Sequence, residues 1–361
     1  MRKVKVGVVG CGAISPAYLR NLTTHLKSIV EVTACSDLIA ARSQKQAADF
    51  HIPRVCSTEE LLADPEIEIA VNLTFPPDHF AVSRQILEAG KHLFTEKPLA
   101  VERAEGEEII DLARRKGLLV AGASDIFLGA GLQACRALLD QGAIGVPLLA
   151  SALITLNYEN KERWQQHGTG PVFDIGPYYV AALLALFGPV RQVSGMTSQL
   201  IPYKPYPEDS PEAGKSFKVG TPMEAGSLLR FDSGPLGVYA TAGEAGEGYV
   251  PHLEIFGSIR TLEANDPNFY YRPVTLRGSA GGEVPVPHGF KEEGRGLGVA
   301  ELAWALRTGR TPRASGELLF HALDIMHAIH EASDRGRQVE VGTTCARPEP
   351  FNLDEMLQAF K

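Results

Sequence analysis

The stretch that decides the fold is Val4-Lys5-Val6-Gly7-Val8-Val9, which runs directly into Gly10-Cys11-Gly12-Ala13-Ile14-Ser15. The first six residues form a β-branched run typical of a strand, and a helical pattern follows the glycines from Ala17 to Leu26. In such a turn the first glycine permits a tight bend, the second lets backbone approach a pyrophosphate, and the helix N-terminus supplies N–H groups. Ser15 replaces the third glycine of the fingerprint with another small residue. The residues expected at a dinucleotide are Gly10, Gly12, Ala13 and Ile14.

A carboxylate at the end of the second predicted strand indicates which dinucleotide binds. Asp37 closes the run from Val30, at about the distance where a carboxylate accepts ribose hydroxyls. The same charge would repel a 2′-phosphate, so NAD is favoured over NADP. Leu38 is placed with the cofactor residues. Arg42 is also assigned to the cofactor, where its positive charge would favour NADP. The alternative interpretation is that Arg42 is an ordinary arginine on the helix surface.

Strand and helix patterns alternate from Val4 to about Gly122, which predicts an α/β Rossmann domain with a doubly wound parallel sheet. After about residue 125, longer alternating strands follow one another with few helices. This pattern predicts an α+β domain with a large mixed or antiparallel open sheet. We therefore divide the chain into residues 1–123, residues 124–345, and a C-terminal segment, 346–361, that packs back on the Rossmann domain.

Composition narrows the class of protein. The chain has 361 residues, and 35 Lys and Arg stand against 43 Asp and Glu, for a net charge of −8. Neither the positively nor the negatively charged residues cluster along the sequence, so neither a nucleic-acid partner nor a membrane partner is expected. The five cysteines are scattered, which disfavours a disulfide framework or a zinc site and predicts a cytoplasmic protein. The longest apolar run, Val180 to Phe187, is too short to span a bilayer.

Two further strands end in turns that carry polar groups. The chain leaves a strand through Asn72 to His79, and leaves the next through Thr95-Glu96-Lys97-Pro98. Ligands of doubly wound sheets bind at the carboxyl ends of the strands. Because a proline follows it, Lys97 is held in an extended or turn conformation, from which it can protrude into the cleft. Residues of the first turn expected at the cofactor are Thr74, Phe75, Pro76 and His79.

Together these motifs resemble the glucose-fructose oxidoreductase and inositol dehydrogenase family (Gfo/Idh/MocA). The resemblance rests on Gly10-Cys11-Gly12, Asp37, Ala89-Gly90-Lys91-His92 and above all Glu96-Lys97-Pro98. It extends to Gly168-Thr169-Gly170-Pro171-Val172-Phe173-Asp174-Ile175-Gly176-Pro177-Tyr178, which is similar to the family's glycine-rich segment and the Asp-x-Gly-x-His that follows it. The motifs touch most of the chain, in the family's order and spacing.

The resemblance implies hydride transfer between a nicotinamide and a secondary hydroxyl or ketone of a sugar, glycoside or cyclitol, without a metal. Lys97 would be the acid–base group in contact with the substrate, Glu96 would lie by the nicotinamide ribose, and Asp174 would orient substrate or lysine. Pro98 often follows a cis bond in the family. The second domain's sheet would form a homodimer or homotetramer. A desolvated lysine beside a positive nicotinamide is expected to have its pKa lowered toward neutrality.

Tyr178 stands where the family has a histidine. An unassisted phenol, with a pKa of about 10, is a poor base at neutral pH. Three interpretations remain open. Tyr178 binds the substrate while Lys97 takes the proton; Tyr178 is itself the base and Lys97 lowers its pKa; or Tyr178 is a packed aromatic.

Other residues carry weaker hypotheses. Asp125 is expected to bind sugar hydroxyls or to cap the helix that follows it. Trp164 and His167 precede the glycine-rich segment, so Trp164 is assigned to the substrate, with packing as its alternative. Arg295 meets the cofactor or a carboxylate, or is a solvated loop residue. His327 and His330 have a spacing that can bind metal, but no carboxylate–histidine metal signature accompanies them. Residues 201–221, rich in proline, form a lid, a subunit contact or an ordinary surface loop.

Other functions fit the same motifs. A catalytically silent NAD-binding sensor or subunit is favoured by the loss of the histidine and disfavoured by retention of Lys97 and Asp174. NAD-mediated oxidation of a glycoside at C3, or glycoside hydrolysis through such a step, uses the same opening chemistry.

Overall fold

The structure is a computed structural model that describes residues 1–158, 162–166, 169–246, 253–264, 266–279, 281–284 and 294–361, except the side chains of Arg163 and Trp164. Within these ranges no helix combines the length and the hydrophobicity needed to cross a bilayer.

The N-terminal part is the predicted parallel α/β unit. Its strands are β1 (Val4–Val9), β2 (Val30–Ser36), β3 (Ile69–Asn72), β4 (His92–Thr95) and β5 (Val120–Gly122). Its helices are α1 (Ser15–Thr23), α2 (Ala40–Phe50), α3 (Thr58–Ala63), α4 (His79–Glu88) and α5 (Arg103–Lys116). The strands pair in the order β2-β1-β3-β4-β5, and every pair is parallel. Nearly every residue of these strands is buried, as a sheet with helices on both faces requires.

The direction of strand order reverses between β1 and β3. On one side of the reversal β2 lies next to β1, and on the other side β3, β4 and β5 follow in chain order. At the β2 edge, Val55 forms a single parallel bridge with Cys35. A cleft opens at such a reversal, outside the carboxyl ends of the strands. The turn after β1 and the turn after β3 therefore face the same cleft.

The C-terminal part contains a mixed sheet, with helices before, within and after its strands. Its helices are α6 (Ala130–Asp140), α7 (Glu162–Gln166), α8 (Gly170–Asp174), α9 (Gly176–Phe187), α10 (Leu297–Thr308), α11 (Gly316–Arg335) and α12 (Leu353–Ala359). Its strands are β6 (Pro147–Thr155), β7 (Val190–Ser198), β8 (Tyr203–Pro205), β9 (Ser216–Lys218), β10 (Glu224–Phe231), β11 (Leu236–Ala242), β12 (Leu253–Gly257), β13 (Thr261–Glu263), β14 (Val274–Arg277), β15 (Gly282–Val284) and β16 (Val339–Glu340).

Nine of the described strands form the predicted large sheet, in the order β15-β14-β13-β12-β6-β11-β10-β7-β16. Among their pairings β6 with β11 is parallel and the others are antiparallel. Buried and exposed residues alternate along β10, so one face of the sheet is covered and the other is open. Every residue of α9 is buried.

Helix α11 joins the two parts of the molecule. A Cβ built on Gly106 of α5 would lie 2.7 Å from Leu323 of α11, and one on Gly122 of β5 would lie 2.7 Å from Leu319. The absence of a side chain at both glycines lets α11 approach the Rossmann unit closely, while the same helix also packs on β7. In segment 346–361, the carbonyl of Ala359 accepts a hydrogen bond from the Met1 amino group.

Several of the described elements were not predicted, among them α3, α9, β8 and β9. Helix α3 begins at a reciprocal capping box between Ser57 and Glu60, a signal that is present in the sequence. Helix α9 contains the apolar run from Val180, which the sequence indicated only to be too short for a membrane span. Segment 201–221 is not an irregular loop throughout, because β8 and β9 pair within it as a two-stranded sheet.

Candidate active site

The turn after β1 has the shape that a dinucleotide needs. Gly10 has φ of +97°, and a Cβ there would lie 2.7 Å from the carbonyl carbon of Leu73. A side chain is thus excluded at Gly10 by conformation and by space. A Cβ on Gly12 would meet nothing within 4 Å, so backbone at Gly12 is open to a ligand. Ser15 is fully buried and its hydroxyl donates to the Gly12 carbonyl, which fixes the start of α1.

Asp37 lies beside this turn. One carboxylate oxygen accepts the Cys11 N–H at 2.7 Å, and the other accepts the Ile39 N–H at 2.8 Å. The two backbone groups therefore fix the carboxylate next to the glycine turn. That Asp37 accepts ribose hydroxyls stays a prediction.

A buried amide organises the turn after β3. The Asn72 side chain accepts from the Thr74 hydroxyl at 2.6 Å and donates to the His79 carbonyl at 3.1 Å. His79 is fully buried, and its ring nitrogens face the carbonyls of Pro98 at 2.7 Å and Thr74 at 3.0 Å. Burial lowers the pKa of His79 more than these carbonyls raise it. His79, which we had assigned to the cofactor, instead ties the turn after β3 to the turn after β4.

The other residues assigned to the cofactor line the same edge with different exposures. Pro76 is buried and Ile14, Thr74 and Phe75 are half-buried, whereas Ala13 and Arg42 are exposed. Leu38 is fully exposed at the rim. The exposure of Arg42 on α2 agrees with its interpretation as a helix-surface arginine.

The turn after β4 meets the C-terminal part through an ion pair. Lys97 Nζ lies 2.5 Å from Asp174 Oδ1, and their side chains are 10% and 7% exposed. The same ammonium donates to the Asp174 carbonyl oxygen. The other carboxylate oxygen of Asp174 accepts the Tyr158 hydroxyl at 2.6 Å. The peptide bond between Lys97 and Pro98 is cis.

The Asp174 carboxylate controls the protonation of Lys97 in the chain without a dinucleotide. Burial lowers the pKa of Lys97, but the Asp174 carboxylate, Tyr178 and Glu96 raise it, and the net shift is upward. The lowered pKa is expected for Lys97 beside a positive nicotinamide and stays a prediction; the sequence did not reveal how close the Asp174 carboxylate lies, and without a dinucleotide this carboxylate raises the pKa of Lys97. Lys97 is therefore a cation at neutral pH.

Tyr178 lies between two cations. Lys97 Nζ is 5.1 Å from the centroid of the Tyr178 ring, and Arg295 Cζ is 4.8 Å from it. Arg295 Nη2 also donates to the Tyr178 hydroxyl oxygen at 2.8 Å. Burial raises the pKa of Tyr178, while Lys97 and Arg295 lower it, and the net shift is upward. Tyr178 is thus a polar member of the site, beyond its role in packing.

Glu96 connects the lysine turn to α1. Its side chain is 7% exposed, and one oxygen accepts the Tyr18 hydroxyl at 2.7 Å while the other accepts the Lys97 N–H at 3.0 Å. Tyr18 lies on the helix that begins at the glycine turn. Glu96 therefore links the segment that holds Lys97 to the segment that would hold a dinucleotide.

Asp125 is not positioned as predicted. It is fully buried, with Oδ1 accepting the Tyr270 hydroxyl at 2.6 Å and Oδ2 accepting the Gly298 N–H at 2.7 Å. Burial raises the pKa of the Asp125 carboxyl to about 6. It does not cap the helix that follows it; instead it caps α10, which starts far along the chain. A carboxylate enclosed in this way has no exposed oxygen for a sugar hydroxyl.

Arg295 is 5% exposed, so the solvated alternative is wrong. Its backbone carbonyl accepts the Asn21 side chain of α1 at 2.7 Å, and its guanidinium contacts Tyr178. Sequence reasoning missed this partner, and it missed Tyr158 altogether, because no local pattern marks either contact. Both depend on residues brought together from distant elements.

Several weaker assignments can now be placed. The imidazoles of His327 and His330 lie 4.9 and 5.4 Å from the Phe173 ring centroid, as packing residues. Within the described ranges no group of three His, Cys, Asp or Glu is arranged to hold a metal. Trp164 lies in α7, but its side chain and all of His167 fall outside the described residues.

Segment 201–221 lies against the site's supporting layer. Phe217 and Val219 pack in a small apolar cluster with Tyr158, the residue that donates to Asp174. Lys204 and Glu244 form an ion pair at 2.8 Å. The segment is therefore attached to the layer behind Asp174.

Comparisons with known proteins identify the two parts. Residues 4–123 match the model of the GFO/IDH/MocA oxidoreductase family with an NAD-binding Rossmann fold, and residues 132–263 match a GFO/IDH/MocA C-terminal domain. Trans-1,2-dihydrobenzene-1,2-diol dehydrogenase of Macaca fuscata fuscata is 33% identical over 186 residues, covering 50% of this chain and 55% of that protein. Inositol 2-dehydrogenase/D-chiro-inositol 3-dehydrogenase of Lacticaseibacillus casei is 32% identical over 167 residues, covering 44% and 48%.

The chain thus spans about half the length of these curated relatives. Among solved structures, the apo form of levoglucosan dehydrogenase superposes with a TM-score of 0.83 at 18% identity, covering 96% of this chain and 100% of that one. At this identity the superposition establishes the fold alone. The two matched domains cover most of the chain, in the family's order, and the chain belongs to the Gfo/Idh/MocA family of oxidoreductases.

Proposed function

We propose that the protein is an NAD-dependent oxidoreductase that acts on a secondary hydroxyl or ketone of a sugar, glycoside or cyclitol. The observation that carries this proposal is the Lys97–Asp174 ion pair against Tyr178, at the carboxyl ends of the strands. The named relatives that act on a diol and on inositols support the substrate class.

The residues present fit a dinucleotide. Gly12 leaves open space at the turn, α1 begins there, and Asp37 is fixed beside it. Ala13, Ile14 and Thr74 would border the pyrophosphate, Leu38 the adenosine, and Glu96 the nicotinamide ribose. Asp37 favours NAD, because a second negative charge from a 2′-phosphate would be repelled. When bound, an oxidised nicotinamide supplies the hydride acceptor and a positive charge.

In the proposed mechanism Tyr178 acts as a phenolate that takes the proton of the substrate hydroxyl, and the Lys97 ammonium stabilises that phenolate before the proton is transferred. Lys97 is held as a cation by Asp174, which makes it a poor base but a good electrostatic partner. In the reducing direction the Tyr178 phenol donates its proton to the substrate oxygen, and Lys97 takes part in this acid–base step through Tyr178. Asp174, fixed by Tyr158, orients the ammonium. This is the second of the three interpretations of Tyr178 that the sequence left open.

The proposal is tested by mixing the purified protein with NAD or NADP and a panel of sugars, glycosides and inositols, while following the absorbance of reduced nicotinamide. We expect turnover of at least one member, faster with NAD than with NADP. Tight binding of NAD without turnover of any member would favour a silent sensor and contradict the enzymatic proposal. Faster turnover with NADP would contradict the role given to Asp37.

We also propose that the chain forms a homodimer or homotetramer through the open face of the nine-stranded sheet. Met196 of β7 and Leu228 of β10 are 80% and 53% exposed, and they point outward on adjacent strands. Apolar side chains on one face are typical of a surface that another subunit covers. Light scattering is expected to give the mass of a dimer or tetramer, and a monomer would contradict this.

The cellular compartment is proposed from the cysteines. All five are free. Because free thiols persist in reducing compartments, we propose the cytoplasm as the site of action.

A further inference from the structure

Arg295 makes a contact that the proposed mechanism has not yet used. It is a buried arginine whose Nη2 donates to the Tyr178 hydroxyl oxygen at 2.8 Å and to Asn268 Oδ1 at 3.3 Å. The guanidinium carbon also lies 4.8 Å from the centroid of the Tyr178 ring. Arg295 therefore contacts both the reacting oxygen and the ring that carries it.

The direction of this hydrogen bond is fixed by chemistry. A guanidinium has only donors, so the Tyr178 oxygen must be the acceptor. The hydrogen of Tyr178 then points away from Arg295. We propose that Arg295 is a positioning residue that stabilises the Tyr178 phenolate, the form that takes the proton of a substrate hydroxyl, and that turns the Tyr178 hydroxyl hydrogen toward the substrate in the reducing direction. This inference rests on the proposed function, and it specifies how the chain prepares Tyr178 for that reaction.

The chain holds Arg295 rigidly enough for this role. Asn21 of α1 donates to its carbonyl at 2.7 Å. On one side, a Cβ on Gly294 would lie 2.5 Å from the Tyr270 ring; on the other, Gly296 has φ of +97° and lies against Leu22. The turn is therefore confined between α1 and Tyr270. Because α1 starts at the glycine turn, the same helix that would bind the dinucleotide also positions Arg295.

The charges around Tyr178 make Arg295 decisive for its ionisation. Lys97 and Arg295 favour the phenolate, while Glu96 and Asp174 oppose it. Tyr270 also lies beside the Arg295 guanidinium, and its raised pKa keeps its phenol neutral. Loss of Arg295 would leave one cation against two carboxylates, so the phenol should hold its proton more tightly.

The test measures the proton of residue 178 directly. Tyr178 is replaced by genetically encoded 3,5-difluorotyrosine, whose phenol ionises near neutral pH, and its ¹⁹F resonance is titrated in the cofactor-free protein. With Arg295→Met we expect the pKa of this phenol to rise by about one unit, and Arg295→Lys to restore part of the shift. Arg272→Met, a loss of the same charge at an exposed arginine nearby, is the matched control and should leave the titration unchanged.

The outcomes separate this inference from the proposed function. An unchanged ¹⁹F titration in Arg295→Met, or the same rise in Arg272→Met, overturns the inference even if the enzyme turns over. A rise confined to Arg295→Met supports it even if no substrate on the panel reacts, which would count against the proposed function alone. If Arg295→Met does not fold, Arg295→Gln, which is also neutral, carries the same expected rise. In the active enzyme, one unit corresponds to a loss of about tenfold in kcat/KM below the pKa.

Discussion

Lys97→Met is expected to lower kcat about 10²- to 10⁴-fold, the range found for groups that act in proton transfer, with little change in the affinity for NAD. Lys97 is held by Asp174 on one side and lies against the Tyr178 ring on the other. Its charge is what we expect to stabilise the phenolate. The loss should therefore shrink as pH rises, because removing a nearby cation raises the pKa of Tyr178 without removing the phenol. Initial rates across pH, together with an NAD titration, measure both effects.

The design must separate catalysis from stability. Removing Lys97 leaves the buried Asp174 carboxylate without its cation, which costs about 3–5 kcal/mol when a buried pair is broken. The double variant Lys97→Met/Asp174→Asn removes that orphaned charge and should recover stability but not activity. Thermal unfolding measures the stability of this variant, and initial rates measure its activity.

Lys91→Met is the matched control. Lys91 is 8% exposed, donates to the Asp64 carbonyl at 2.6 Å, and lies just before β4, at the opposite end of the strand from Lys97. It should lose stability while keeping kcat. If Lys97→Met retained full activity, the role of the lysine would be refuted. A loss that stays equally large at high pH would show instead that Lys97 itself takes the proton.

The Rossmann part and its two ligand-facing turns were predictable because their signals are local. Gly10 and Lys97 each lie in the turn that follows a strand. Because the carboxyl ends of parallel strands lie at the same edge of the sheet, the sequence predicts that these two turns face the same cleft. The capping box at Ser57, which marks the start of α3, is an equally local signal, although α3 was not predicted. Alternation likewise predicted the longer strands of the second sheet, such as β10, but not the short strands β14, β15 and β16.

The charge state of the site was not predictable in this way. The contact between Arg295 and Tyr178 joins residues 117 positions apart, and the contact between Asp125 and Gly298 joins residues 173 apart. No period or motif encodes such pairs. A pKa depends on them, because the field at a buried group is set by its nearest charges. For this reason the sequence did not reveal that Asp174 raises the pKa of Lys97 when no dinucleotide is bound.

The second large effect is expected at the hydroxyl of Tyr178. Tyr178→Phe removes one oxygen and leaves the ring against Lys97 and Arg295, so the packing of the site should be preserved. If the Tyr178 phenolate takes the proton, kcat/KM should fall about 10²- to 10⁴-fold. Initial rates with the best substrate of the panel provide the measurement. Tyr178→His restores a base whose ordinary pKa is about 6.5, so part of the activity should return, with the rising limb of the pH profile moved toward neutral pH.

Tyr179→Phe is the control for this substitution, because it makes the same chemical change at the next residue. The Tyr179 side chain is 1% exposed and its hydroxyl donates to Asp266 at 2.7 Å, away from Lys97. Its loss should cost stability, since the half-buried Asp266 carboxylate loses a donor, but should leave kcat/KM and its pH profile intact. Equal losses in Tyr178→Phe and Tyr179→Phe would mean that both hydroxyls serve packing, and that Lys97 transfers the proton without a phenol. A loss confined to Tyr178→Phe, with recovery in Tyr178→His, assigns the proton to the position where the family has its histidine. The lysine is then the cation that lets a phenol do the work of an imidazole.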